Sequence, residues 1–118
     1  MDVRIKRAYE AASPEDGIRI LVDRLWPRGV TKADAAIDSW EKDLAPSKEL
    51  RQWFGHEPQR WEEFRRRYAR EVHAHEERLA QLRALARTTR VTLVHAARDE
   101  EHNDAVVLRE LLLGRSGR

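Results

Sequence analysis

The sequence predicts an α/β fold, a single small domain whose partly parallel sheet of three to four strands is covered by helices. Three observations lead there. Two apolar runs rich in β-branched residues, Ile18-Arg19-Ile20-Leu21-Val22 and Val91-Thr92-Leu93-Val94, stand far apart in the chain. Between them lies a long stretch with apolar residues at helical spacing, and a last amphipathic segment follows the second run. Strands that alternate with helices build such layers, with right-handed crossovers. At 118 residues the chain can bury one core and is too short for two. Residues 1–113 are assigned to that domain and 114–118 to a frayed tail.

Val3, Ile5 and Ala8-Tyr9 alternate with Arg4, Lys6 and Arg7, the pattern of a strand with one solvated face. Ser13-Pro14-Glu15-Asp16-Gly17 then combines two turn signals, Ser-Pro and Asp-Gly. The run from Ile18 to Val22 reads as a more buried, central strand. Thr31 is an N-cap for a short helix over 33–36, with Asp34 completing an acidic capping box, and 37–40 reads as a short extended piece. A second short helix begins at Ser47 and stops at Gly55. From Pro58 one long helix is expected, its inward stripe formed by Trp61, Phe64, Tyr68, Val72, His75, Leu79, Leu82 and Ala86, with Glu62–Arg66 and Glu63–Arg67 pairs on its flanks. His75, on that stripe, is expected to be a hydrogen-bonded core residue. Thr88-Thr89 ends the helix, Val91 to Val94 forms a third strand, and Asn103 caps a last helix that turns Val107, Leu108, Leu111 and Leu112 inward.

Composition excludes several chemistries. With no cysteine there is no disulfide, thiolate nucleophile or Cys-ligated metal. No stretch reaches the roughly 20 apolar residues that span a bilayer, and the N-terminus alternates charge with apolar residues instead of forming a signal-peptide core. A soluble, cytoplasmic protein with no membrane partner is expected. The 23 Lys+Arg against 21 Asp+Glu leave a net charge of only +2, and most of the cations are arginine. Arginine presents a planar fork to carboxylate or phosphate, so a few placed arginines can bind an anion without a basic protein around them.

Two segments follow strands and would meet at the crevice where ligands of open α/β sheets lie. In Asp23-Arg24-Leu25-Trp26-Pro27-Arg28-Gly29, Pro27 stiffens the loop, Arg24 and Arg28 can act as anion-binding forks and Trp26 as a stacking wall. The structural alternative pairs Asp23 with Arg24 or a neighbour, buries Trp26 and leaves Arg28 in solvent. In the segment from His95 to Asp104, His102 is a candidate acid or base, Asp99 its orienting partner and Asn103 a ligand-binding residue, against a plain capping role for Asp99, His102 and Asn103. A third segment, from Leu44 to Pro58, carries Trp53-Phe54 and His56, a candidate catalytic histidine whose alternative is a turn cap. Asp43 and Arg65 could reach the same crevice.

No metal site is expected. His73 and His75 would point to nearly opposite sides of a helix, and His95, Asp99 and His102 match no zinc spacing. No glycine-rich phosphate loop is present, so no cofactor is expected. The proposed partner is an anionic small molecule, with Asp23, His56, Asp99 and His102 available for proton transfer and Arg24, Trp26, Arg28 and Asn103 for binding. Two other readings carry less weight. One is nucleic-acid binding through Arg65-Arg66-Arg67 and Arg70; interleaved acids, and aromatics buried on the stripe, argue against it. The other is a homodimer or partner module using the exposed side of the long helix.

Taken together, the 13–17 turn, Leu21-Val22-Asp23-Arg24-Leu25-Trp26-Pro27-Arg28-Gly29, Trp53-Phe54-Gly55-His56 and Asp99-Glu100-Glu101-His102-Asn103 resemble the YeaO-like family of bacterial proteins, over nearly the whole chain. That family lies within a larger group described only as a domain of unknown function, so the resemblance implies a fold and positions, not an activity. Members of the wider group often carry a Cys, or a Cys-His-Arg signature, after the last strand. Here that region is the stretch from Asp99 to Asn103, which has no cysteine, and thiol chemistry is not expected of this chain.

Overall fold

A computed structural model describes residues 1–114. The tail expected at 114–118 therefore lies, beyond Gly114, outside the described residues. Four strands form one sheet: β1 (Val3–Arg7), β2 (Ile18–Leu21), β3 (Ser39–Trp40) and β4 (Val91–His95), in the order β1-β4-β2-β3. All three pairings are parallel, where the sequence led us to expect a partly parallel sheet. The last strand enters between the first two, with Val3 and Ile18 both in register with Val91. Helix α1 (Lys32–Ala35) joins β2 to β3, while α2 (Lys48–Phe54), α3 (Trp61–His73) and α4 (Glu76–Thr88) join β3 to β4; α5 (Asp104–Leu112) follows β4.

Strand alternation divides the core in two. Val3, Ile20, Val22, Val91 and Leu93 face a large cluster that takes Leu50 and Phe54 from α2, Phe64, Tyr68 and Val72 from α3, Leu79 and Leu82 from α4, and Leu108, Leu111 and Leu112 from α5. Ala8, Leu21 and Val94 face the other way, against Trp26, Ile37 and Trp40. That second face also buries an ion cluster. Asp16 accepts from Arg19 Nη1 at 2.7 Å, from the Ser13 N–H at 2.9 Å and from Lys6 Nζ at 3.2 Å. Burial opposes its ionisation, yet these donors hold its carboxyl below the usual carboxylate range.

The turn before β2 depends on Gly17, whose φ is +67°. A Cβ there would lie 2.2 Å from the Arg90 carbonyl oxygen, so this close approach of two backbones requires glycine. The capping box forms here, between Ser13 and Asp16, and not at Thr31, whose hydroxyl accepts from the Asp34 N–H without the reciprocal bond.

The expected long helix is two helices. The N–H groups of Ala74 and His75 reach back three residues, to Glu71 and Val72, and His75 leaves the helical region at φ −122°, ψ 41°. One straight helix from Trp61 to Thr88 would run about 42 Å at 1.5 Å per residue, longer than the largest dimension of the molecule, 35 Å. The break keeps Leu79, Leu82 and Ala86 on the core. It also exposes His75, contrary to its expected core position. On the flank, Glu63 binds both Arg66 and Arg67, while Glu62 pairs with Arg65 and not with Arg66. Among the described residues no helix is long and apolar enough to cross a membrane.

Candidate functional site

Strands β2 and β4 end side by side, with Leu21 in register with Val94. From there the chain leaves in opposite directions: after β2 toward β3, and after β4 into α5, which packs on β1 and β4. Loops that part in this way leave a crevice at the carboxyl edge of a parallel sheet. It is occupied here by a cavity of about 710 Å³, closed on its third side by α2 and the residues after it.

All eight residues singled out in the sequence line this one cavity: Asp23, Arg24, Trp26, Arg28, His56, Asp99, His102 and Asn103. Their surroundings differ. The Arg24 Nε donates to the Pro46 carbonyl at 3.2 Å, which ties the first loop to the start of α2. That start is further fixed by the Tyr68 hydroxyl, donating to the Leu44 carbonyl at 2.6 Å, and by the Glu71 carboxylate, accepting from Ser47 N–H and hydroxyl at 2.8 and 2.7 Å. Trp26 is half-buried; its Nε1 donates to the Val30 carbonyl at 2.7 Å and its ring meets Trp40 edge-on at 5.5 Å. Arg28 is exposed, and its carbonyl accepts from the Tyr9 hydroxyl at 3.0 Å.

His56 follows Gly55, the left-handed C-cap of α2, and is itself left-handed at φ +58°. A non-glycine residue there stores on the order of 1 kcal/mol of strain at the cavity rim. On the opposite loop, the His102 Nδ1 is 2.9 Å from Asp99 Oδ2, and its ring meets Trp61 edge-on at 5.1 Å. Asp99 Oδ1 accepts from the N–H groups of Glu101 and His102. The His102 contact first, then these N–H groups, hold the Asp99 carboxyl below its usual range. A carboxylate on Nδ1 fixes the imidazole orientation and leaves Nε2 for other contacts. Both ends of the Asn103 amide are engaged: Oδ1 caps α5 at the Val106 N–H, and Nδ2 donates to the Asp99 carbonyl at 2.9 Å.

Asp23 meets a residue the sequence reading did not single out. Its Oδ2 accepts from the Ala96 N–H at 2.9 Å, and its carboxyl faces that of Asp104, in the first turn of α5. Two carboxyls in contact cannot both ionise cheaply. Burial, and then the Asp23 charge, push Asp104 well above the ordinary carboxylate range. Tyr68 lies behind it, its phenol held neutral by burial and by the Asp104, Asp23 and Glu71 carboxyls. His95, at the end of β4, is buried; its Nδ1 accepts from the Ala97 N–H at 3.1 Å, which puts its proton on Nε2. Burial lowers its pKa against the pull of Asp23, keeping it uncharged. In the sequence Asp104 reads only as an acid suited to a helix start, and nothing there points to Asp23.

Arg51 and Arg98 were also missed, and both line the cavity. Among the described residues, the cavity arginines Arg24, Arg28, Arg51 and Arg98 have no carboxylate partner, whereas Arg65, Arg66 and Arg67 of α3 are all in ion pairs. Neither Asp43 nor Arg65 reaches the cavity; Arg65 binds Glu110 at 2.8 Å.

The fold and the crevice define a small parallel α/β protein with a cavity at the topological switch point of its sheet. The chain belongs to the DUF488-N3i family, the inactive DUF488-N3 subclade, whose model matches residues 2–117. It is similar to an uncharacterized protein of Mycobacterium tuberculosis (strain H37Rv), 49% identical over 113 residues, covering 96% of this chain and 95% of that one. It is also similar to the uncharacterized protein YeaO of Escherichia coli (strain K12), 42% identical over 112 residues, covering 95% and 97% of the two chains. No solved structure matches it.

Proposed function

We propose that the cavity binds a small molecule carrying a phosphate or carboxylate group, and that it holds this ligand in the cytosol without turning it over. The observation that carries the proposal is the set Arg24, Arg28, Arg51 and Arg98, four guanidinium groups on one cavity with no carboxylate partner among the described residues. Elsewhere on the described surface Arg4, Arg65, Arg66, Arg67, Arg78 and Arg90 are paired with acids, whereas Arg7, Arg60, Arg70, Arg83, Arg87 and Arg109 have no acid partner among the described residues. What sets the cavity four apart is that they converge on one cavity, where an anion would supply the partner they lack. The acids beside them leave the balance positive, because four guanidinium groups face three carboxyls, those of Asp23, Asp99 and Asp104.

The lining contains no serine, threonine or cysteine, so the candidate nucleophiles in it are confined to its carboxyls, imidazoles and the Tyr9 phenol, and we read the site as binding without turnover. The family's description as inactive supports the same reading. Asp99 and His102 then serve as an oriented hydrogen-bonding pair, and His56 as a rim contact. The nucleic-acid reading draws little from α3, where Arg65, Arg66 and Arg67 are paired with Glu62, Glu63 and Glu110 and Arg70 alone of the row is in no ion pair among the described residues.

Calorimetric titration with inorganic phosphate at low ionic strength tests the proposal. One site per chain is expected. Arg28 and Arg98 are exposed, so the double variant Arg28→Gln/Arg98→Gln keeps its melting temperature. It loses at least about tenfold in affinity, since a hydrogen bond to a charged group contributes about 1.5–3 kcal/mol. Absence of binding to the wild-type protein at millimolar phosphate overturns the reading.

A further inference from the structure

We infer that the anion bound in this cavity is carried on an aromatic body, so that the ligand is an aryl phosphate or aryl carboxylate and not a sugar phosphate or a free inorganic ion. The inference rests on the anion-binding reading above and names the class of ligand for the same site. Three large hydrophobic side chains are strongly exposed among the described residues: Met1, Tyr9 at 49% and Leu25 at 63%. Two of the three, Tyr9 and Leu25, line this cavity. Leu25 belongs to neither core cluster, although its neighbour Trp26 is anchored and Pro27 is buried. An apolar side chain held in solvent by a stiff loop, at the mouth of a cavity, is placed to cover a ligand and not to stabilise the fold.

The inner wall continues the same character. Pro27, Pro46, Phe54 and Phe64 are buried lining residues, and Phe54 and Phe64 stack at 4.4 Å. The hydroxyls of a sugar would meet few hydrogen-bonding partners along such a wall and would be desolvated without return. An aromatic ring would lose nothing there and would gain edge and face contacts with the phenylalanines. The volume, about 710 Å³, lies within the roughly 300–1,000 Å³ typical of organic-ligand pockets and far exceeds what a lone phosphate fills. Charge sets the direction of entry. The exposed Arg28 and Arg98 hold the anion at the mouth, and the ring runs from beneath Leu25 inward along the apolar wall.

The test compares two monoesters of equal charge, 1-naphthyl phosphate and ribose 5-phosphate, titrated into the full chain at low ionic strength. Naphthyl phosphate is expected to bind at least about tenfold more tightly, with one site per chain, because its ring replaces water along the apolar wall. Leu25→Ser should reduce the ratio of the two affinities several-fold, and its melting temperature reports that the variant is folded. Ribose 5-phosphate binding as tightly as naphthyl phosphate, or a ratio untouched by Leu25→Ser, overturns the aromatic ligand while leaving anion binding intact. If neither ester binds, the anion-binding reading falls and this inference with it.

Discussion

Asp104 begins α5 one residue after its N-cap, where free N–H groups ordinarily favour an ionised carboxylate. Burial and the Asp23 carboxyl reverse that preference and raise its pKa. A raised carboxyl pKa contributes stability that is full below the unfolded value and is lost as pH rises through the folded one. Asp104→Asn, permanently neutral, should match the wild type near pH 4 and exceed it in stability at pH 8; urea unfolding at the two pH values measures the difference. Asp16 has the opposite sign. Its carboxyl is held low by Ser13, Lys6 and Arg19, so its contribution is present above the usual carboxylate range and disappears as pH falls through its lowered pKa. Asp16→Asn leaves Arg19, only 3% exposed, without its partner. It should cost about 3 kcal/mol in unfolding free energy at neutral pH.

Helices α2 and α5, which both line the cavity, begin at polar caps, and these caps also shape the site. Ser47 caps α2 at the Leu50 N–H while Glu71 of α3 grips it from behind. Asn103 caps α5 and, through its amide nitrogen, closes the loop that holds Asp99 against His102. Replacing it by alanine should lower stability by about 1 kcal/mol, the ordinary value of an N-cap. It should also weaken phosphate binding, because the loop over 99–102 loses its closure; thermal unfolding and calorimetry separate the two effects. The break between α3 and α4 belongs to this scale as well. Local propensity permits a continuous helix, and the finite size of the sheet beneath it does not.

The site is a consequence of strand order. Placing β4 between β1 and β2 makes the loops after β2 and β4 diverge from neighbouring points, and the gap between them is the cavity. Because loops from distant parts of the chain share it, ligand binding should stabilise the molecule as a whole. A ligand at a hundred times its Kd adds about 2.7 kcal/mol.

Much of this was legible in the sequence because it is local. Ser47, Gly55, Thr31 and Asn103 were read as helix boundaries from their own chemistry, and the apolar strands from their composition. The segments 23–29 and 99–103 were read as site loops because polar residues follow buried strands. What only the tertiary structure decided is what those residues meet. Nothing in the residues themselves places Asp104 on Asp23, leaves Arg51 and Arg98 beside Arg28, or breaks the helix at His75. Caps and strands are set by contacts within a few residues. The facing carboxyls, the arginine set and the helix break depend on a sheet whose last strand is inserted between the first two.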